Sequence, residues 1–292
     1  MTSRLRRQLL SSSLAAAGFT AAAGVAGSLL PFRSVRAAAS DDAKLASAGS
    51  VGHQQGGVLV PALTSLPAMP AALSLDFDVF YGDFTGSGFQ VAEAVYRFSR
   101  QKDQYRLDTE AHATGMLAVF YSGNLLQTST GALGAQGFLP QRYTEKRGRR
   151  PERQLTFDTK ARRIRQSGDA GVEFPFPEGT QDRLSVFFQL GLLARSHDAV
   201  SRPGQRFRLP LAGMSRIDEP LFHVISREPL RTNAGRFEAL HIAVSKPGDR
   251  DAPKFDVWLA PDLDMMPVRI RVVEGKDKRV IDQVLRKRPA GG

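Results

Sequence analysis

Apolar and polar residues alternate with period two from Leu73, where Leu73, Leu75, Phe77 and Val79 fall against Ser74, Asp76, Asp78 and Phe80. This is the pattern of a strand with one buried face. Gly82 to Gly88 supplies a turn, and a second run from Phe89 to Arg100 returns with Phe89, Val91, Ala94 and Tyr96 at its apolar positions. Gln101 to Gln104 turns the chain into a third run starting at Tyr105, and the pattern recurs at 137–146, 152–159 and 162–166. Short runs at intervals of roughly ten residues predict an antiparallel meander.

One segment switches to the helical period. In the run 179–200, Leu184, Phe187, Phe188, Gly191 and Leu192 fall on one face, with Val186, Leu190 and Leu193 on its flanks. Thr180 is read as the N-cap, and Asp182 in the first turn suits the positive end of the helix dipole. A helix apolar over most of its circumference must be enclosed by protein. The fold expected is therefore mainly β, a curved antiparallel sheet or open barrel wrapped around one or two helices. The apolar run from Gly115 to Gln127 lacks period two and fits either a short helix or a buried strand.

Strands resume at Phe207. A hairpin is expected around Thr232–Gly235, with Asn233 and Gly235 supplying positive φ. A second hairpin spans Val257–Ile270, carries the single tryptophan, Trp258, and turns through Asp262 and Asp264; Pro267 suits the start of its return strand. A last alternating run closes the sheet.

The amino-terminal stretch reads differently. Residues 1–39 hold five arginines and no acidic residue, with a Gly/Ala-rich apolar stretch between Arg7 and Arg33 and small residues at Ala37–Ala39. This is the layout of a cleaved export signal. Arg6-Arg7 resembles the twin-arginine signal, and the general route stays open beside it. Residues 40–70 read as a disordered Ala/Gly/Pro linker, and 71–288 as a single antiparallel β domain. No later stretch is apolar and long enough to span a membrane, so a soluble periplasmic product is expected.

Of 292 residues, 42% are hydrophobic, enough for a full core. The formal net charge of +11 falls once the leader is removed, which argues against a nucleic-acid partner. Basic clusters at Arg142–Arg153 and near the carboxyl terminus read as solvated strand ends and turns. Cysteine is absent, which rules out disulfides, thiolate chemistry and a lipid-modified cysteine.

No catalytic set is legible. His223 and His241 lie on successive strands but lack a third ligand at metal-binding spacing. Glycines 131–137 read as a turn, not a phosphate loop. Asp76/Asp78, Asp249/Asp251 and Asp262/Asp264 read as strand-surface and turn residues. No metal, cofactor or catalytic residue is expected, and the chain is read as non-enzymatic. Gln181-Asp182-Arg183 is the sharpest polar candidate: it either lines a ligand mouth or caps the helix and pairs with a neighbouring strand.

The run of Gly115-Met116-Leu117-Ala118, Phe157-Asp158, GTQDRLSVFFQL at 179–190, Thr232 to Phe237 and VWLAPDLDMMPVRI at 257–270 resembles the exported bacterial family of domain of unknown function 3108. The resemblance covers 73–285 and brings no catalytic residues with it. A wider similarity to periplasmic lipoprotein carriers, in which a curved sheet wraps helices around a lipid, is one of fold. Two functions stand side by side. One is a carrier or binding module for a hydrophobic, lipid-like molecule, lined by Phe187, Phe188, Leu192 and Trp258 with Gln181 and Arg183 at its mouth. The other is a structural or assembly factor of the envelope with a solid core.

Overall fold

The computed structural model describes residues 58–59, 63, 65–115, 124–167, 172–246, 254–274 and 278–290. The leader, most of the linker, Asp249/Asp251 and the centre of the Gly115–Gln127 run lie outside them.

The first half of the domain is a meander: β2 (Ala72–Tyr81), β3 (Phe89–Gln101), β4 (Gln104–Ala113), β5 (Leu125–Gly134), β6 (Gly137–Arg147), β7 (Arg153–Asp158), β8 (Arg163–Gln166) and β9 (Glu173–Pro175). Helices α1 (Ser185–Ser196) and α2 (Asp198–Ser201) follow. The chain then makes β10 (Arg206–Arg208), the small pair β11 (Leu211–Ala212) and β12 (Ile217–Asp218), β13 (Leu221–Thr232), β14 (Gly235–Ser245), β15 (Lys254–Ala260), β16 (Met266–Glu274) and β17 (Arg279–Leu285). β17 pairs antiparallel with β2, so the two halves join into one open sheet of fifteen strands. The sheet is mainly antiparallel and not closed, as the alternation predicts.

The outermost strand on one side is β1 (Val58–Leu59), which pairs parallel with β10. Within the span read as a linker, β1 pairs with β10, and Leu63 and Met69 are buried in the core. Isolated apolar residues in a Pro-rich stretch suffice to dock it where an apolar surface is waiting.

Local breaks in alternation have structural causes. The change of phase between Val91 and Ala94 is a β-bulge, since Val79 pairs with Ala92 but Phe80 with Gln90. In the Trp258 hairpin, Pro261–Leu263 forms a 3-10 turn and Asp264 and Met265 take positive φ before β16 starts. Pro267 sits second in that strand, as expected. At the β13–β14 turn only Gly235 takes positive φ; Asn233 does not, and its side chain instead donates to Asp78 Oδ2 at 2.8 Å.

α1 lies in the concavity with every residue from Ser185 to Ala194 buried. Adjacent Phe187 and Phe188 reach opposite wings of the sheet. Phe188 packs on Phe98 of β3 and Phe138 of β6, with ring centroids 6.1 Å away in both cases, while Phe187 meets Phe255 of β15 at 6.0 Å. Aromatic burial on this scale dominates core energetics. Gly191 permits the closest approach, because any side chain there would meet the Met265 carbonyl in the β15–β16 turn.

Candidate functional site

The segment that enters α1 is a polar knot built on four consecutive residues. Asp182 Oδ1 accepts from the backbone amides of Leu184 and Ser185, both at 2.8 Å, and Ser185 Oγ accepts from the Asp182 amide at 3.0 Å. This reciprocal pair is a capping box with serine in the place usually held by Glu or Gln. Thr180, expected as the cap, instead donates to the Pro177 carbonyl at 2.6 Å, because the helix begins at Ser185. Asp182 Oδ2 also accepts from Ser129 Oγ, which lies 2.9 Å from Tyr105 Oη. Burial holds the Asp182 carboxyl above the ordinary aspartate range despite these donors.

Arg183 points the other way, to Glu145 of β6, with Nη1 3.5 Å from Oε2. Glu145 also receives Arg147 Nε at 2.8 Å and Gln127 Nε2 at 3.1 Å. Burial alone would raise the Glu145 carboxyl; Arg183 and Arg147 outweigh it and hold the group below the ordinary range. Gln181 is bound to backbone, its Nε2 donating to the carbonyls of Phe138 and Gly179 at 2.9 and 3.1 Å. Gln181 and Arg183, expected at the mouth of a ligand site, are buried. The capping and strand-pairing alternative describes the observed contacts.

These contacts end on a polar row across the concave face. Tyr96, Thr109, Gln127 and Glu145 are successive register partners on β3, β4, β5 and β6, and all four are buried. The next inward row is apolar and small: Phe77, Ala94, Ala111 and Leu125 on β2, β3, β4 and β5. Beyond it on the β17 side is Gln283, the register partner of Val79. The Tyr96 hydroxyl reaches over Phe77, against which its ring packs edge-on at 5.2 Å, and donates to Gln283 Oε1 at 2.9 Å. Burial raises the Tyr96 phenol far above its usual range, so it acts as a neutral donor.

Two polar atoms that border the alanine floor have no hydrogen-bond partner among the described residues: Thr109 Oγ1 and Gln283 Nε2. Each stands on a residue that is at least 98% buried, where an unmade hydrogen bond costs about 1–3 kcal/mol. The patch of Ala94 and Ala111, walled by Phe77, Val79 and Leu125 and edged by Tyr96, Thr109, Gln127 and Gln283, is the candidate site. Ala94 and Ala111 are themselves 0% and 6% exposed, so the patch is covered in this structure, and a guest would reach it only by displacing that cover. Uncovered, it suits an amphipathic guest: apolar contact over the floor, with an acceptor for the Gln283 amide and a hydrogen-bonding group for the Thr109 hydroxyl.

Placement of the other expected lining residues is mixed. Phe187, Phe188 and Leu192 lie in the concavity but are enclosed in packed aromatic and aliphatic contacts around α1. Trp258 lies across the sheet from them. It differs by three positions from inward-facing Phe255 on the same strand, and it is covered by His241, stacked at 4.3 Å, and by the Arg269 guanidinium at 4.6 Å. Its indole donates to Glu228 Oε1 at 2.7 Å. His241 is engaged with Asp256 at 2.9 Å, and its register partner on β13 is Ser226, not His223. The expected acidic pairs are engaged as well: Asp76 with Arg286 and Lys287, Asp262 with Arg288, and Asp264 with Arg195.

A family model, that of the protein of unknown function DUF3108, matches residues 76–282. The chain belongs to this family. The matched span takes in the polar row, the alanine floor, the capping box and Asp282 next to Gln283, which lies one residue beyond it. Among solved structures, the chain is similar to a protein from Bacteroides fragilis named as exported and as having a YmcC-like fold, at 12% identity and a TM-score of 0.33, covering 78% of this chain and 99% of that one. It is also similar to a protein named as a lipoprotein from Parabacteroides distasonis, at 10% identity and a TM-score of 0.33, covering 80% and 99%. No curated protein matches the chain. Among the described residues no helix is long and apolar enough to cross a membrane.

Proposed function

We propose that this DUF3108 protein is a non-enzymatic periplasmic binding or carrier module for an amphipathic, lipid-like molecule of the cell envelope. The observation that carries this reading is the pairing of a small apolar floor, Ala94 and Ala111, with two buried polar atoms that lack partners among the described residues, Thr109 Oγ1 and Gln283 Nε2. A core built only for stability has reason to use Val in place of Thr109, since the two have the same shape and Val leaves no buried hydroxyl. The polar groups around the floor are neutral on the side of Thr109 and Gln283, which suits a hydroxyl, ester or amide head rather than a free charge.

A second reading, the structural or assembly factor, draws on α1. Its complete enclosure and the aromatic contacts of Phe187 and Phe188 fill the other half of the concavity with protein. Native mass spectrometry of the protein purified from its own envelope separates the two. The carrier gives a co-purifying amphiphile that extracts into organic solvent and is lost in Ala111→Phe and weakened in Thr109→Val. A ligand-free mass from the folded wild type supports the scaffold instead.

A further inference from the structure

The antiparallel meander gathers the β2–β3, β6–β7 and β16–β17 turns on one rim of the sheet. The β2–β3 turn displays four aromatic rings at this rim, two on each face: Tyr81 with Phe89 at 5.8 Å, and Phe80 with Phe84 at 5.0 Å. Phe89 is 58% exposed, the largest exposure of any bulky apolar residue described. An aromatic that is kept in water on a mobile loop carries little information, but this loop is held firmly. Asp83 accepts from the Gly86 and Gly88 amides through its carbonyl and from the Thr85 hydroxyl and amide through its carboxylate. The same carboxylate pairs with Arg271 at 2.7 Å and Arg269 at 3.2 Å, and the Phe84 amide donates to Asp282 at 3.1 Å.

Two further turns on this rim are basic. Lys146, Arg149 and Arg150 at the β6–β7 turn and Lys278 at the start of β17 are exposed, and none has a carboxylate partner among the described residues. Glu152 is the one exposed carboxylate in the β6–β7 turn, and the Asp83 charge is already met by two arginines. At the opposite rim Arg286 pairs with Glu93 and Asp76, Lys287 with Asp76 and Arg288 with Asp262, but Lys102, Lys160 and Arg231 are exposed without a carboxylate partner among the described residues, so the aromatic cluster at the β2–β3 turn is what sets this rim apart. Rigid exposed aromatics flanked by unmatched cations are the elements of an interfacial anchor on an anionic bilayer, the rings entering the headgroup layer and the cations meeting lipid phosphates.

We infer that this rim docks the protein on an anionic lipid surface, with Phe89 and Phe84 as the apolar contact and Lys146, Arg149, Arg150 and Lys278 as the electrostatic one. The inference concerns the outside of the fold and stands whether or not the concavity binds a ligand.

Vesicle co-sedimentation of the purified protein tests it, using phosphatidylcholine vesicles with and without phosphatidylglycerol. Expected is binding to the phosphatidylglycerol vesicles that weakens as salt rises, with little binding to phosphatidylcholine alone. Arg149→Gln with Arg150→Gln should lower the partition coefficient on the order of 30-fold, from the contribution of two cations near a charged surface, and Phe89→Ser should lower it with the salt dependence retained. All three positions are exposed, so circular dichroism should show an intact fold. Absence of vesicle binding, equal binding to both compositions, or unchanged binding in both variants overturns the inference; the first result would point to a protein partner for the rim.

Discussion

Tyr96 and Thr109 face each other across β3 and β4, both at least 98% buried, yet only one of the two hydroxyls is satisfied: Tyr96 donates to Gln283 Oε1 at 2.9 Å and Thr109 Oγ1 has no partner among the described residues. The asymmetry makes Thr109 a place where stability and binding should separate. Thr109→Val keeps the shape and removes the unmatched hydroxyl, so the ligand-free protein should gain about 1 kcal/mol in urea unfolding. The same variant should hold the co-purifying amphiphile less well. A loss of stability in Thr109→Val would show that the hydroxyl is bonded in the folded protein.

Glu145 gives a prediction of the opposite kind. Its carboxylate meets Arg183, whose side chain is 4% exposed, and Arg147. Glu145→Gln leaves the buried guanidinium without its counter-charge and should cost on the order of 3 kcal/mol. The wild-type carboxyl is held below its ordinary value, so its contribution is present above the glutamate range and is lost as pH falls through the folded value. Stability of Glu145→Gln, followed by urea midpoint against pH, should therefore fall less steeply than wild type in acid.

Asp182 has the reverse sign. Its folded carboxyl lies above the ordinary value, so its protonated form is favoured by folding; the contribution is greatest in acid and is lost as pH rises from the ordinary aspartate value through the folded one. The carboxyl also holds the helix entrance. Asp182→Ala removes the cap from the Leu184 and Ser185 amides and the acceptor from Ser129. The expected loss is about 2–4 kcal/mol, from a lost cap together with orphaned buried donors. Asp182→Asn should recover most of it, since Asn caps as well as Asp does. Equal damage from both variants would mean that the charge, and not the cap, is what the site needs.

The single tryptophan offers an optical control. Trp258 is on the convex face under His241 and Arg269, so removing or adding an amphiphile in the concavity should leave its emission unchanged. Glu228→Gln alters the partner of the indole N–H and should shift the emission. A ligand-dependent shift in the wild type would place the guest against Trp258, on the other side of the sheet.

Much of the architecture is legible in the sequence because it follows from alternation. The strands β2, β4, β6 and β7 and the enclosed helix each have a legible apolar period, and β3 has one on either side of its bulge. β5 does not, for a physical reason: its inward residues are Leu125, Gln127, Ser129, Gly131 and Leu133, polar or small at the centre. A strand whose buried face carries a hydrogen-bond network imitates a loop, and the Gly131–Gly137 segment read as a turn contains the end of that strand. The candidate site was missed by the same token, since Thr109, Gln127 and Gln283 look like ordinary polar residues until pairing places them in one layer. Trp258 misled in the other direction: its size suggested a lining residue, whereas three positions of alternation from Phe255 set it on the far face. Asp182 at the helix entrance is legible from local spacing, whereas the partner of Arg183, Glu145 on β6, is distant in sequence and follows only from the fold.

The most direct measurement is a crystal structure of the protein purified from its own envelope without removal of lipid. The account predicts density for an extended guest over Ala94 and Ala111, with one polar group about 2.7–3.2 Å from Thr109 Oγ1 and another at the same distance from Gln283 Nε2. A floor still covered by protein, as it is without a guest, with those two atoms bonded to protein or to water alone, would contradict it.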